Sequence, residues 1–223
     1  DPSCGSGIFI INAFNNGVKN IHGIDINPLA ILTAKINFLI NNFDLSKPKE
    51  LPIYLGDSAY TPQEVTIREI KCFQYSLPTS LAEFPFIDFI FPEDFIKNQD
   101  FFVILDIIEE HIVNYNKEAI LKVLKSYHET YYDILEKHYN ELIDKLFSLE
   151  KLGLNSIWLK IIANYFKSGV IRDVDFIVGN PPWVRWSNLP EYYKQTIKDN
   201  CRVEGVFSGD SNSGGVDLNI CAL

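Results

Sequence analysis

The segment Asp1 to Gly7 reads DPSCGSG, a glycine-rich turn feeding a helix. Gly5 and Gly7 would let the backbone approach a ligand closely and would expose amide groups near a helix start. By itself the signal is weak. Ile10 stands where the dinucleotide pattern GxGxxG needs its third glycine, and the P-loop lysine is lacking, so a structural turn is the competing reading. Asp25, in GIDINP, follows Gly7 by 18 positions at the end of an expected strand. A carboxylate there can accept both ribose hydroxyls of an adenosine-containing cofactor, as in doubly wound nucleotide folds. It can equally serve as a helix cap or turn residue, because Asn27 and Pro28 come next. Asp57, in LGDSA, sits likewise after the following strand, placed to accept from a cofactor's adenine amine. Val178 to Trp183, VGNPPW, comes directly after the apolar run VDFIV.

These residues need elements to hold them. Residues 8 to 16 read as a helix, Ile21 to Ile26 as a short buried strand, Leu29 to Asn41 as a helix with Leu32, Ile36, Leu39 and Ile40 on its packing face, and Pro52 to Leu55 as a strand. Helix, strand, helix, strand predicts a parallel sheet with crossover helices. Val65 to Tyr75 and Phe84 to Phe91 look extended and able to pair as a hairpin. From Asp100 to Lys167 the pattern is helical, with Leu124, Tyr127, Tyr131, Leu135, Leu142, Leu146 and Leu149 on one stripe of a long helix. Gly169 reads as a helix cap, and Val174 to Val178 as a return to a buried strand. The expected organisation is 1–60 as the cofactor-binding half of an α/β core, 61–169 as a mainly helical insertion, and 170–223 as the target-site strand, its loop and the start of the next helix. Gly205 to Gly215 is loop-like in composition.

Composition excludes several classes. No run approaches the ~20 apolar residues of a membrane span and the first residues lack a basic leader, so the expected location is the cytoplasm, without a membrane partner. Cys4, Cys72, Cys201 and Cys221 are far apart with no CxxC pair, which predicts free thiols and no metal. His22, His111, His128 and His138 show no metal-ligand spacing. Tyr127, Tyr131 and Tyr139 read as helix packing rather than a base-stacking platform. The net charge of -9 argues against strong nucleic-acid binding by this chain alone, and residues 94–152 carry 12 acidic and 7 basic residues. The sequence contains no Met and opens inside a motif that normally follows a strand. The expectation is therefore a chain shortened at both ends and inactive alone, with its DNA-gripping part elsewhere.

Taken together, Asp1 to Gly7, Asp25, Asp57 and Asn180 to Trp183 resemble the amino-methylating DNA methyltransferases, particularly the adenine-specific class of restriction-modification systems. The resemblance covers residues 1 to about 60 and 170 to 223. It implies a Rossmann-like, doubly wound, mostly parallel sheet of the class I methyltransferase type, incomplete here, and S-adenosyl-L-methionine as cofactor. Carried over residue by residue, Asp1, Ser3, Gly5 and Gly7 would line the pocket for the methionine part, Asp25 would hold the ribose, Ile26 would pack on the cofactor adenine, and Asp57 would bind its amine. Asn180, Pro181, Pro182 and Trp183 would form the target site for an extruded adenine. The Asn180 side-chain oxygen and the Pro181 carbonyl accept the two amine hydrogens, the prolines fix the backbone, and Trp183 offers a stacking face. Arg185 and Trp186 are either contacts to the flipped nucleotide or loop-packing residues. VDLNICAL resembles the segment leading to the family's next helix. Expected partners are double-stranded DNA, through a recognition domain outside this sequence, and a restriction or specificity subunit. The competing readings are a protein-glutamine methyltransferase, which resembles this chain in its NPPY site, and a non-catalytic specificity or assembly module of the same fold.

Overall fold

The computed structural model describes residues 1–41, 51–79, 81–127, 129, 131–153, 158–182, 184–203 and 217–218. In chain order its elements are α1 (Ile8–Asn15), β1 (Gly23–Asp25), α2 (Pro28–Asn41), β2 (Ile53–Leu55), β3 (Gln63–Ile67), β4 (Ile70–Pro78), β5 (Phe86–Pro92), α3 (Glu93–Lys97), α4 (Phe101–Val113), α5 (Lys117–Tyr127), α6 (Tyr132–Lys151), α7 (Trp158–Gly169), β6 (Val184–Arg185), α8 (Glu191–Val203) and β7 (Asp217–Leu218). They fall into two compact units, Asp1–Thr61 with Ile171–Leu223, and Pro62–Val170. Among the described residues no helix is long and apolar enough to cross a membrane.

The first unit is α/β. β1 and β2 pair in parallel with Gly23 opposite Ile53 and Asp25 opposite Leu55, and Gly23 N donates to Pro52 O at 2.8 Å. Ile24 turns its backbone groups to the other edge, where its N–H donates to Asp1 O at 2.9 Å and its carbonyl accepts from Cys4 N at 2.8 Å. The opening residues are thereby fixed along β1. A core of Cys4, Ile10, Ile31, Ala34 and Ile53 joins the strands to α1 and α2. Each fully buried Ile contributes roughly 1.5–3 kcal/mol. Two glycines are required by contact: a Cβ on Gly23 would overlap Ile10, and one on Gly7, whose φ is 83°, would lie 3.1 Å from Ala34 Cβ.

Two expectations for this unit are corrected. α2 packs through Ile31 and Ala34, while Leu32, Ile36, Leu39 and Ile40 are exposed. The helix is apolar on more than one side, and the choice falls to Ala34, small enough to sit beneath Gly7 where a larger side chain would hold α1 away. Val174 to Val178 is not a buried strand: it forms no ladder among the described residues, and Phe176 is 87% exposed. An apolar run is buried as a strand only where neighbouring strands complete its hydrogen bonds and helices cover its faces. Asp217 and Leu218, expected to lead into a helix, instead pair antiparallel with Arg185 and Val184. Gly205 to Gly215 lies outside the described residues.

The second unit begins with an antiparallel sheet in the order β3-β4-β5. The segment Val65 to Tyr75 is therefore two strands, with Arg68 and Glu69 as the turn between paired Ile67 and Ile70. Both turn residues have positive φ, 45° and 72°, as the hairpin's right-handed twist demands of a two-residue turn. Lacking Gly or Asn, the sequence gives no turn signal there. The expected long stripe from Leu124 to Leu149 is split between α5 and α6. Tyr127 is exposed, and burial resumes on α6 at Tyr132, continuing through Leu135, Tyr139, Leu142, Leu146 and Leu149. Phe91 contacts Phe95, Phe101 and Phe166 with ring centroids 5.5, 6.0 and 5.0 Å apart, and α4 packs on α5, α6 and α7 around them. Lys167 is buried along its stem, with Nζ over the Phe101 ring and donating to Asn98 O at 3.1 Å. Gly169 is the last residue of α7 rather than a cap beyond it. A Cβ there would lie 2.7 Å from Pro62 Cδ, so the two ends of this unit touch.

The β3-β4 turn yields a stability prediction. A left-handed conformation costs an L-residue ~1–2 kcal/mol, so Arg68→Asn with Glu69→Gly should raise the urea midpoint of unfolding at unchanged slope. A lowered midpoint would show that the tip is held by its side chains.

Candidate active site

The glycine turn is anchored through two carboxylates. Asp1 Oδ1 accepts from Ser3 N at 3.1 Å, while Asp1 Oδ2 and Ser3 Oγ are buried with no hydrogen-bond partner in the described structure. Gly5, at φ 52°, donates its N–H to Asp25 Oδ2 at 2.8 Å. The other Asp25 oxygen accepts from Asn27 N at 2.8 Å. Asp25 is thus a turn-forming residue that ties the end of β1 to the glycine turn, and each oxygen keeps a second lone pair for a ligand. The helix cap falls to Asn27, whose Oδ1 accepts from Leu29 N at 2.9 Å. Cys4 lies beneath this turn, buried, and burial followed by the nearby Asp25 charge pushes its thiol up to about 11. It stays protonated, as do the buried Cys72 and Cys201, and none of the three is in a disulfide. Cys221 lies outside the described residues.

Asp57 stands just past β2 and is 8% exposed. Burial raises its carboxyl above the ordinary carboxylate range. Donation from the Tyr193 hydroxyl at 3.0 Å, and from Ala59 N at 2.9 Å, works against that rise.

The NPP segment approaches the same rim. A Cβ on Gly179 would lie 2.5 Å from Asp1 Oδ1 and 3.6 Å from Pro2 Cδ, so this glycine is what lets the second turn close against the first. Asn180 and Pro182 are exposed, Pro181 is half-buried, and Trp183 lies outside the described residues. A cavity of about 350 Å³ is lined by Ser3, Asp25, Ile26 and Asp57 from the first half of the unit, and by Asn180 and Pro182 from the second. Asp1, Gly5, Gly7 and Pro181 are not among its lining residues. Gly7 serves helix packing, as its contact with Ala34 requires, whereas Gly5 and Asp1 shape the turn from behind. Trp186 packs against the Ile197 and Cys201 cluster under α8, the loop-packing alternative.

No motif pointed to Val184, Leu189 or Tyr193, which also line the cavity. Tyr193 sits 136 positions after the carboxylate that it contacts, and no short motif encodes a pairing so distant. The site is rich in acceptors: the Asp25 and Asp57 carboxylates, the Asn180 amide oxygen and the orphaned Ser3 Oγ belong to lining residues, and Asp1 Oδ2 is orphaned in the turn behind them. That set fits a ligand rich in N–H and O–H donors, such as the ammonium, ribose hydroxyls and adenine amine of S-adenosylmethionine. No His, Cys, Asp or Glu cluster among the described residues could hold a metal ion.

The sequence matches the family model of the Eco57I restriction-modification methylase over residues 19–208. The chain belongs to that family. It is accordingly of a methyltransferase family that acts on DNA in restriction-modification. The match spans the acid at Asp25, the NPPW segment and the whole helical unit between them. No curated protein and no solved structure matches the chain.

The buried Asp57 gives a signed pH dependence. A carboxyl whose pKa is raised by folding contributes stability at low pH and loses it as pH rises through the folded value. Asp57→Asn keeps the shape and the acceptor oxygen but never ionises. Its melting temperature should exceed wild type near pH 8, with the margin narrowing toward about pH 4. A margin independent of pH would mean that Asp57 is not titrating in this range. For Gly179→Ala, the contact with Asp1 predicts weakened binding of S-adenosylhomocysteine by calorimetry, and an unchanged affinity would deny that the two turns depend on each other.

Proposed function

We propose that this chain transfers a methyl group from S-adenosyl-L-methionine to the N6 amine of an adenine extruded from double-stranded DNA, on a Rossmann-like, doubly wound core with residues 62–170 as an insertion. The observation that carries the reading is the shared cavity, where Ser3, Asp25 and Asp57 from one half of the unit meet Asn180 and Pro182 from the other. Adenine specificity rests on the resemblance of DPSCGSG with NPPW to the adenine-specific class. DNA recognition is assigned to a domain outside this sequence, in keeping with the net charge of -9, and a restriction or specificity subunit is the further partner.

Asp1 and Ser3 hold the amino-acid end of the cofactor, with Gly5 and Gly7 shaping the turn. Asp25 accepts from the ribose, Ile26 covers the cofactor adenine, and Asp57 accepts from its amine. When bound, the cofactor supplies an electrophilic methyl on a sulfonium whose departure as a neutral thioether needs no acid. The N6 amine of adenine is a poor nucleophile because its lone pair is delocalised into the ring. Asn180 Oδ1 and the Pro181 carbonyl accept its two hydrogens, favour the pyramidal amine and aim the lone pair, so the chain acts by position and by stabilising developing positive charge. Pro181 and Pro182 hold that carbonyl in place. Trp183 stacks on the extruded base.

The test, run on the protein with its DNA-recognition domain present, is methyl transfer from tritium-labelled cofactor to duplex DNA, followed by digestion and chromatography of the nucleosides. N6-methyladenine is expected, and Asn180→Ala should lower kcat by about 100-fold or more with cofactor affinity unchanged. Label in cytosine would overturn the adenine assignment. Label in the glutamine amide of a peptide would favour the protein-methylating reading, and an unaffected rate in Asn180→Ala would remove the catalytic one.

A further inference from the structure

α8 brings a side chain into the cavity that the site motifs do not contain. Tyr193 lies in its first turn, with N–H donating to Pro190 O at 3.0 Å, and its ring packs with Leu189, Ala59 and Tyr60 against Ile197 and Cys201. The hydroxyl at the end of this packed ring donates to Asp57 Oδ1. Ala59 N donates to the same oxygen. With the Tyr60 backbone N–H as a further donor to the carboxylate, these contacts set its plane.

Resting on the methyltransferase reading, we propose that Tyr193 is a positioning residue that holds Asp57 as an oriented, ionised acceptor for the cofactor's adenine amine. Cofactor affinity then depends on α8 holding Tyr193 at the cavity that Asn180 and Pro182 also line. Three observations bear on this. Asp57 is buried, so an undirected carboxylate there would tend to take up a proton and lose its value as an acceptor. The Tyr193 hydrogen bond is the largest influence opposing that effect of burial. Finally, Tyr193 and Asn180 lie on one short stretch of chain and line one cavity, so the segment that presents the target acceptors also sets the carboxylate. Tyr193 is the titratable group that touches Asp57 from α8, and Asp25, at the end of β1, is the other carboxylate lining the cavity.

Tyr193→Phe removes the donor and keeps the ring. Two measurements on the whole chain test its effect: the Asp57 carboxyl titration by carbon NMR, and the dissociation constant of S-adenosylhomocysteine by calorimetry between about pH 6 and pH 8. The variant should titrate Asp57 at higher pH and bind about 10-fold more weakly, with the deficit growing as pH falls. In an Asp57→Asn background the same substitution should add little, because the acceptor no longer ionises. An unchanged Asp57 titration, or a loss that is flat with pH and fully additive with Asp57→Asn, overturns the proposal and reduces Tyr193 to packing. Failure of wild type to bind S-adenosylhomocysteine while the Asp57 titration still shifts overturns the cofactor reading instead, and the ligand half of this proposal with it.

Discussion

In β1 the backbone alternates between two tasks. Gly23 and Asp25 bond to β2, while Ile24 bonds to Asp1 and Cys4. This alternation fixes the rim on which everything else is built. It carries the glycine turn to the same edge as the ends of β1 and β2, and Gly179 then meets Asp1 without a side chain in the way. The carboxylate of Asp25 reinforces the arrangement by accepting from Gly5 and Asn27. A strand of three residues suffices because both of its edges are occupied.

The carboxylates at this rim are differentiated by surroundings rather than by type. Asp25 takes one backbone donor on each oxygen at its turn, whereas Asp57 is sunk in a low-dielectric wall and kept in place by a phenol. Asp1 retains a buried oxygen with no partner. Such an orphan is unfavourable in isolation by ~1–3 kcal/mol. The acidic balance of the chain, a liability against phosphate, suits a cationic, donor-rich small molecule.

Local chemistry was legible in the sequence where it was written locally. The order of α1, β1, α2 and β2 followed from glycine and proline punctuation and short apolar runs, and the Asn27-Pro28 pair marked the start of α2. Asp25 and Asp57 were singled out by residue type and position, and Ser3, Ile26, Asn180 and Pro182 through the resemblance that the motifs carry; all six line one cavity. What escaped was decided by partners far away in the chain. The buried side of α2 depended on Ala34 meeting Gly7, and Tyr193 depended on a carboxylate in another part of the sequence. The turn at Arg68 and Glu69 carries none of the usual residues, because the pairing of β3 with β4 imposes it. VDFIV reads as a strand in composition, yet pairing belongs to neighbours and not to the run itself.

Pro62 and Gly169 are in contact, so the helical unit departs and returns at adjacent points. Chain segments with that property can be gained or lost as a block, because a short bridge replaces them without stretching their host. The unit thus has the anatomy of a cassette: its size or helix count can change while its two ends stay together.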